Sequence, residues 1–373
     1  MERIERTKLA SIAARGVAAF AFCLPLAANA QTPAEKLIAE GHWKRARAIV
    51  ETRLHEAPND ALANYLLSQI RNAFGDHSTP LALAEKAEAA DPHTAKYHRQ
   101  HAEVLGVMAQ HANVLQQLIL ARRFHKEINT AIQLDARDTQ ALGDLLEFYL
   151  LAPEIAGGDP EKAEETAKRI GQIDPAEGYL AEARIAEFQK KPAAIEAALK
   201  QAAAVQPPSY RARIALARFY LEPAHLSLEK AESPAKEALA LDSTRIDAYN
   251  LLAEIYANRS DWNALDALLA QSTKEVPDDA TPYFRAAERL LAAQREAARA
   301  ERYLRTYLGQ EPEGNEPRLS EAHWRLGHAL ELQGRNPAAI SEWQEAVKLD
   351  PQSPAERDLK RVKNSATIPA AKF

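Results

Sequence analysis

The sequence is poor in the residues that build tight turns, aromatic cores and covalent cross-links. Its 373 residues include one cysteine, 13 glycines and 6% aromatic residues. The scarcity of glycine disfavours a β-sandwich or β-barrel, since those folds need many turns. The formal charge of −5, with no basic stripe along the chain, argues against nucleic acid as a partner. A hydrophobic fraction of 46% and a charged fraction of 27% argue against both a disordered chain and a polytopic membrane protein.

Residues 1–30 have the three parts of a secretory signal peptide. A basic start precedes an apolar stretch over residues 16–26, and the small residues Ala28 and Ala30 follow at the positions that signal peptidase reads. We expect cleavage after Ala30, a periplasmic or secreted bacterial protein, and no stable membrane insertion of the mature chain. An uncleaved anchor is the alternative. Cleavage would remove Cys23 and with it any disulfide, cysteine metal ligand or cysteine nucleophile.

Proline and aspartate recur as punctuation between helix-forming segments. Such markers, for example Pro92, Pro175 and Pro351, follow one another at a mean spacing of about 37 residues, a period typical of solenoids built from helical hairpins. Proline cannot continue the preceding helix, and a nearby aspartate can cap the next one. Small residues at fixed places would let the paired helices approach closely. Alanine stands at the same distance before five of the markers, at Ala46, Ala163, Ala231, Ala300 and Ala339.

The last unit carries a recognisable set of residues. They are Leu326, Gly327, Leu330, Gly334, Ala339, Trp343, Ala346 and Pro351. At this spacing the unit resembles the tetratricopeptide repeat family. The resemblance implies an all-α fold, a right-handed α-solenoid of antiparallel helical hairpins, in which the first helix of each hairpin lines a concave surface. A generic array of helical hairpins is the alternative, and it belongs to the same fold class.

The pattern predicts four segments along the chain. Residues 1–30 form the signal peptide, and residues 31–351 form about nine hairpins, best matched over residues 246–351. Residues 352–363 form a capping helix, because an open-ended solenoid needs a polar cover. Residues 364–373 are expected to be a disordered tail.

One stretch departs from the regular spacing. The interval between Pro92 and Ala136 exceeds the usual repeat length by about ten residues. We expect longer helices here, and an apolar stripe along one of them. That stripe comprises Val114, Leu115, Leu118 and Ile119. Further on, Gly157 and Gly158 predict a turn between helices, with a ligand loop as the alternative.

The sequence contains no established catalytic motif. A nucleophile elbow, a His-Glu-x-x-His helix and a glycine-rich phosphate loop are all absent. Five histidines fall between His93 and His125, and His98 and His101 could share a metal with Glu103 or a neighbouring helix. Their spacing matches no zinc signature. We therefore expect a non-enzymatic protein with no metal and no cofactor, and a metalloenzyme using this cluster is the alternative.

A binding face follows from the resemblance. Three first helices each present an i, i+4 pair on the face opposite the packed stripe. The pairs are Asn250 with Glu254, Arg285 with Arg289, and Trp324 with His328. The arginines could bind a carboxylate, and Trp324 could anchor an apolar or sugar group. The alternative is that the arginines pair with carboxylates of the chain itself.

Together these features predict an exported interaction scaffold. Its groove would bind a peptide or partner protein, with an acidic segment or a free carboxylate at the arginines. The alternative function is that of an accessory protein in cell-envelope or polysaccharide assembly.

Overall fold

The computed structural model describes residues 31–76, 78–315 and 317–366, with side chains up to residue 363. Within these ranges the chain forms 19 α-helices, one short 3-10 helix and no strand, which confirms the predicted all-α solenoid. Among the described helices, none combines the length and the apolar character that a membrane span requires. The predicted signal peptide and residues 367–373 of the predicted tail lie outside the described residues.

The first eighteen helices follow one another as antiparallel pairs. The first five pairs are α1 Pro33–Glu40 with α2 Trp43–Glu56, α3 Ala61–Ala73 with α4 Pro80–Ala90, α5 Ala95–Gln110 with α6 Val114–Leu134, α7 Thr139–Leu151 with α8 Pro160–Ile173, and α9 Pro175–Phe188 with α10 Pro192–Ala204. The last four pairs are α11 Tyr210–Phe219 with α12 Leu228–Leu241, α13 Ile246–Arg259 with α14 Trp262–Glu275, α15 Thr281–Ala292 with α16 Ala297–Leu308, and α17 Leu319–Leu332 with α18 Asn336–Leu349. A 3-10 turn, Glu154–Ala156, separates α7 from α8.

The predicted punctuation residues begin the helices. Asp174 ends α8 and caps α9, where its carboxylate accepts hydrogen bonds from the backbone N–H groups of Ala176 and Glu177. Pro175 occupies the first helical position, where the missing N–H group costs no hydrogen bond. Asp138 caps α7 in the same way. Each cap satisfies N–H groups that a helix start otherwise leaves unpaired.

Small residues let the paired helices pack closely. The five alanines that stand at equal distances before the repeat markers are all fully buried. A β-carbon added to Gly327 would lie 2.2 Å from Nε1 of Trp343, so the indole packs directly on the backbone of α17. On α9, a β-carbon added to Gly178 would lie 2.3 Å from the Cα of Gly171 on α8. Larger side chains at these positions would push the helices apart.

The irregular stretch contains the long helix that its spacing predicts. Helix α6 has 21 residues and α7 has 13. At 1.5 Å per residue, α6 therefore extends about 12 Å beyond the reach of α7. The apolar stripe at its start is consequently left uncovered: Val114, Leu115 and Ile119 are 76%, 70% and 54% exposed. Gly157, at a φ of 106°, turns the chain from the 3-10 turn towards α8.

The first hairpin contacts the loops on either side of the eighth hairpin. Lys44, at the start of α2, donates hydrogen bonds from Nζ to the backbone carbonyls of Asp278 at 2.6 Å and Glu311 at 2.5 Å. Arg47, one turn later, pairs with both carboxylate oxygens of Glu311, at 3.0 and 2.8 Å. Nδ1 of His42 lies 2.9 Å from the Asp278 carboxylate. We call this contact the clasp, and it comprises His42, Lys44, Arg47, Asp278, Glu311 and Glu313. It closes the hairpins between α2 and the loop before α17 into one turn.

The clasp is expected to be weaker at about pH 8 than at about pH 5.5. The hydrogen bond to Asp278 raises the pKa of His42 above 6.5, against the effect of burial. Burial raises the pKa of Glu313 from 4.5 to about 7, with the N–H group and charge of Lys44 opposing it. Both groups bind more protons in the folded state, so their contribution to stability declines as the pH rises through these values. The pKa of Asp278 lies below its ordinary value of 3.8, so protonation of this group weakens the clasp only at a pH below that value.

Hydrogen exchange of α2 and of residues 309–318 at the two pH values, corrected for the intrinsic exchange rate, measures this difference. We expect faster relative exchange at the higher pH, and a smaller pH effect in His42→Gln. Equal protection at both pH values would contradict the assignment of these two groups.

A last helix, α19 Ala355–Ala366, follows the ninth pair. It begins three residues after the predicted start of the capping helix, because Ser353 and Pro354 form the turn after α18, and it continues three residues past the predicted end. Leu359 and Val362 of α19 pack against the apolar cluster that α17 and α18 share. The helix therefore covers the end of the array.

Candidate binding groove

Two adjoining cavities follow the first helices of the hairpins. The larger, about 810 Å³, is lined mainly by α5, α7, α9 and α11. The smaller, about 390 Å³, is lined by the end of α11, α13 and Arg285 of α15. The two share Arg218 and Glu222. We call the two cavities together the groove, and the volume of each cavity lies within the range of protein ligand sites.

Charged side chains line the groove, and acidic residues outnumber arginines by eight to five. Arg184 pairs with both oxygens of Glu147, at 2.6 and 2.9 Å. Arg211 lies 2.8 Å from Glu177. The ion pairs hold these side chains in place, and the excess of carboxylates gives the groove a net negative charge.

A buried group of charges lies at the floor of the groove, where α5 meets α7. Burial raises the pKa of Asp144 to about 7, Arg99 opposes this shift, and Glu103 adds to it. Burial also raises the pKa of Glu103, against the attraction of Arg99 and a hydrogen bond from Asn72. Among the described residues, neither Oδ2 of Asp144 nor Nε of Arg99 has a hydrogen-bond partner. Such unsatisfied polar atoms are costly, and a ligand group could satisfy them.

Three of the six residues predicted as binding residues lie together in the smaller cavity. Asn250 and Glu254 of α13 and Arg285 of α15 all line it. Oδ1 of Asn250 is buried and has no hydrogen-bond partner in the described part of the chain. These three side chains thus present an unused acceptor, a carboxylate and a guanidinium to one space.

The two predicted arginines pair with local carboxylates, which was the alternative that the sequence left open. Nη2 of Arg289 lies 3.0 Å from Glu254 across the α13–α15 contact. Nη1 of Arg285 lies 3.3 Å from Glu288, one turn later on the same helix. Both arginine side chains are about one-third exposed. Arg285 lines the smaller cavity, whereas Arg289 lines neither cavity of the groove. A carboxylate ligand would compete with these two pairs.

Trp324 and His328 contact the chain's own last helix. Nε1 of Trp324 donates a hydrogen bond to Asp358 of α19 at 2.9 Å, and Nε2 of His328 lies 3.2 Å from the same carboxylate. Their rings meet edge to face, 5.1 Å apart. The repeat pattern ends before α19, so it could not show that Asp358 occupies this face. A ligand at Trp324 would have to share or displace that contact.

The histidine-rich segment forms a hydrogen-bonded cluster. Nδ1 of His98 lies 2.8 Å from Glu127 of α6, and Nε2 lies 2.9 Å from the carbonyl of Pro92. His101 bonds to Glu88 at 2.6 Å. The hydrogen bonds to Glu127 and Pro92 outweigh burial and raise the pKa of His98. Possible ligand atoms of Glu88, His98 and Glu127 lie within 4.8 Å of one another, so an ion there would replace an existing buried ion pair. The absence of a metal stays a prediction.

A third cavity, of about 580 Å³, lies beside the groove, and the sequence pattern did not predict it. It lies between the end of α5, the start of α6 and the end of α7. Most of its lining is apolar, as represented by Leu105, Val114, Leu118, Phe124, Phe148 and Ile155. The long interval with its apolar stripe was the signal that could have located it. We call it the apolar cavity.

No family model and no curated protein matches this sequence. Several solved structures resemble it. The type IV pilus biogenesis factor PilW is 17% identical, covers 60% of this chain and 98% of its own, and gives a TM-score of 0.45. A tetratricopeptide repeat protein of Thermus thermophilus is 21% identical over 50% of this chain and 94% of its own, with a TM-score of 0.37. A human IFIT1 dimer is 13% identical over 89% of this chain and 81% of its own, with a TM-score of 0.46.

Similarities at this level carry no argument about function. The hairpins themselves identify the architecture. Between α1 and α18 the chain forms nine antiparallel helix pairs. Alanines are buried where the paired helices cross, and Gly327 packs on Trp343. The fold is an all-α solenoid of antiparallel helical hairpins.

Proposed function

We propose that this protein is a non-enzymatic interaction scaffold that binds a segment of a partner protein along the groove. The observation that carries the proposal is the continuity of the groove across α5, α7, α9, α11 and α13, with buried polar atoms left unsatisfied at Asp144 and Asn250. A partner segment can supply hydrogen bonds to such atoms along its length. A lining held in place by its own ion pairs also lowers the entropy lost on binding.

We further propose that the smaller cavity accepts an acidic side chain or a free carboxylate of that segment. Arg285 and Arg218 both line this cavity and are both partly exposed. Guanidinium groups bind carboxylates through two parallel hydrogen bonds, which gives the contact direction as well as strength. Asp247 of the same cavity lies 3.7 Å from Arg218, so an acidic group of the partner would compete with that carboxylate for the guanidinium.

The predicted signal peptide supports a place in the bacterial cell envelope or outside the cell. On this proposal the mature protein begins near Gln31 and meets its partner after export. N-terminal sequencing of the purified protein identifies the start directly, and a sequence beginning at Met1 would contradict export with cleavage.

A photoreactive amino acid at Glu222, which both cavities share and which is exposed, is expected to capture a partner protein from envelope extracts. The same probe at Arg302, an exposed position on α16 outside the groove lining, is the matched control. Arg218→Glu should reduce the adduct at position 222 by roughly tenfold or more, since a hydrogen bond to a charged group contributes about 1.5–3 kcal/mol. Arg302→Glu should leave it unchanged.

The chemical nature of the adduct decides between the two functions. A protease-sensitive adduct at position 222 supports the scaffold. If glycan competitors prevent the adduct and proteases do not degrade it, the result would instead favour the polysaccharide-assembly role. Equal adducts at the two positions, or none at position 222, would contradict groove binding.

A further inference from the structure

Five of the twelve exposed large apolar side chains of the described chain lie on the segments that surround the apolar cavity. Besides those at the start of α6, they include Leu151 at the end of α7 and Ile155 in the 3-10 turn, which are 62% and 78% exposed. Exposed aliphatic side chains concentrated around one cavity mark a binding surface more often than a random feature of a soluble protein. The volume of about 580 Å³ is sufficient for one or two large side chains of a ligand.

The charges at the apolar cavity all have the same sign. Three charged residues line it, Glu103, Asp144 and Glu147, and no lysine or arginine does so among the described residues. The same three residues also line the groove, so the apolar cavity adjoins the larger cavity. Oδ2 of Asp144 has no hydrogen-bond partner in the described ranges. The cavity therefore combines an apolar interior with an acidic inner rim.

We propose that the apolar cavity anchors an apolar side chain of the partner segment, and that the adjacent residues of that segment include a lysine or arginine which pairs with Asp144 and Glu103. This proposal rests on the function proposed above, because it places one end of the partner segment, which the groove would hold, in the apolar cavity. The apolar side chain gains burial among Leu118, Phe124 and Phe148. The cation pairs with the acidic rim, which would repel an acidic segment.

Charge complementarity selects this occupant over a second copy of the same chain. An isologous dimer through this surface would bring each acidic rim towards its own symmetry mate, and juxtaposed like charges weaken an interface. A basic amphipathic segment has the opposite charge. The preference is thus for a partner with a cationic group beside its apolar anchor.

The titration of Asp144 gives the interaction a pH dependence. The charged groups around this carboxyl are Arg99 and Glu103 on α5, and Asp138 and Glu147 on its own helix. Burial raises the pKa of Asp144 to about 7, so a substantial part of the group is protonated at about pH 6. A cation binds the ionised form, and its binding should therefore strengthen between about pH 6 and about pH 8.

The test uses three synthetic fluorescent peptides of equal length and measures their binding to the purified protein by anisotropy. The first peptide carries leucines followed by a pair of lysines, the second carries glutamates in place of the lysines, and the third carries serines in place of the leucines. We expect the first to bind at least tenfold more tightly than either of the others. Its affinity should rise with pH in the wild type, and the rise should be smaller in Asp144→Asn, where Glu103, whose pKa burial also raises, remains.

Two variants address the cavity itself. Ile155→Glu puts a charge on its apolar edge, and Leu226→Glu makes the same change at a position that is 58% exposed and does not line the cavity. Ile155→Glu should lower the affinity for the first peptide by roughly tenfold, as expected when a buried apolar contact is lost. Leu226→Glu should bind it normally, and circular dichroism should show the same helix content for both.

The possible results separate this proposal from the preceding one. If the first and second peptides bind equally, or if Ile155→Glu and Leu226→Glu behave alike, the apolar and cationic anchor is wrong. The scaffold function would then still stand if the adduct at Glu222 depends on Arg218. Concentration-dependent dimerisation that Ile155→Glu abolishes would assign the surface to a second copy and overturn the proposal.

Discussion

Replacing Lys44 with glutamate is expected to open the closed turn and increase the radius of gyration of the protein in solution. Nζ of Lys44 donates to two backbone carbonyls and lies 3.9 Å from the buried carboxylate of Glu313. The substitution removes these bonds and adds a negative charge beside Glu313 and Asp278. Loss of one partner from a buried pair costs about 3–5 kcal/mol. Small-angle X-ray scattering measures the change in size.

The helix content of Lys44→Glu should stay close to that of the wild type, because each hairpin of a solenoid packs mainly against its neighbours. Lys36→Glu is the matched control. Lys36 lies on the preceding helix, is 69% exposed and pairs with Glu40 alone, at 3.6 Å, among the described residues. A radius of gyration that is unchanged in Lys44→Glu, or equally increased in Lys36→Glu, would show that the clasp does not hold the turn closed.

The second large effect is expected from Trp343→Ala. The side chain of Trp343 is 1% exposed, packs on Gly327 and donates a hydrogen bond from Nε1 to the carbonyl of Trp324. Removing a buried tryptophan leaves a large void between α17 and α18, and costs about 3–5 kcal/mol. Chemical denaturation should therefore show a lower midpoint. Hydrogen exchange should show that the loss of protection is greatest in α17, α18 and α19.

Trp324→Ala makes the same chemical change on the same hairpin and should cost much less. Its ring is only partly buried and its hydrogen bond is to Asp358 of α19. We expect the unfolding midpoint of Trp324→Ala to stay near that of the wild type, with weaker protection confined to α19. Similar midpoints for the two variants would contradict the assignment of Trp343 to the core and of Trp324 to the surface.

The fold could be predicted because its signals are local. Each aspartate or proline marker acts on the helix next to it, as Asp174 and Pro175 do at the start of α9. Each buried alanine serves a contact between helices that are neighbours in sequence. Such features repeat with the hairpin, and a period in the sequence is enough to locate them.

The clasp could not be predicted in this way. It joins Arg47 to Glu311 and His42 to Asp278, which are 264 and 236 residues apart. Whether two such distant loops meet depends on small rotations added over seven hairpins. A repeat pattern does not specify those rotations.

The candidate site was predicted only in its general position. The i, i+4 rule correctly grouped Asn250 and Glu254 on one face of α13, and that face lines the smaller cavity. Which partner each side chain takes depends on neighbouring helices, as with Arg289 and Glu254 or Trp324 and Asp358. The apolar stripe at Val114 was recognised. The exposure of this stripe to solvent could not be predicted, because it depends on the length of α7.

Closure of the turn by the clasp and binding in the groove are connected. The clasp fixes the curvature of the hairpins between α2 and α17, and the groove lies along the first helices of that same turn. An opened turn would separate the side chains that line the groove, including the ion pair between Arg211 and Glu177 on neighbouring hairpins. The central claim is therefore that the protein in solution is a closed turn with a preformed groove.

The most direct measurement is the distance between two spin labels at Ala48 and Gln310, determined by pulsed electron paramagnetic resonance. These positions adjoin Arg47 and Glu311 without removing them, and Cys23→Ser eliminates the one native thiol. The account predicts a short distance with a narrow distribution in the otherwise wild-type protein, and a longer, broader one after Lys44→Glu. A long and broad distribution without the Lys44 substitution would contradict the closed turn and, with it, the preformed groove.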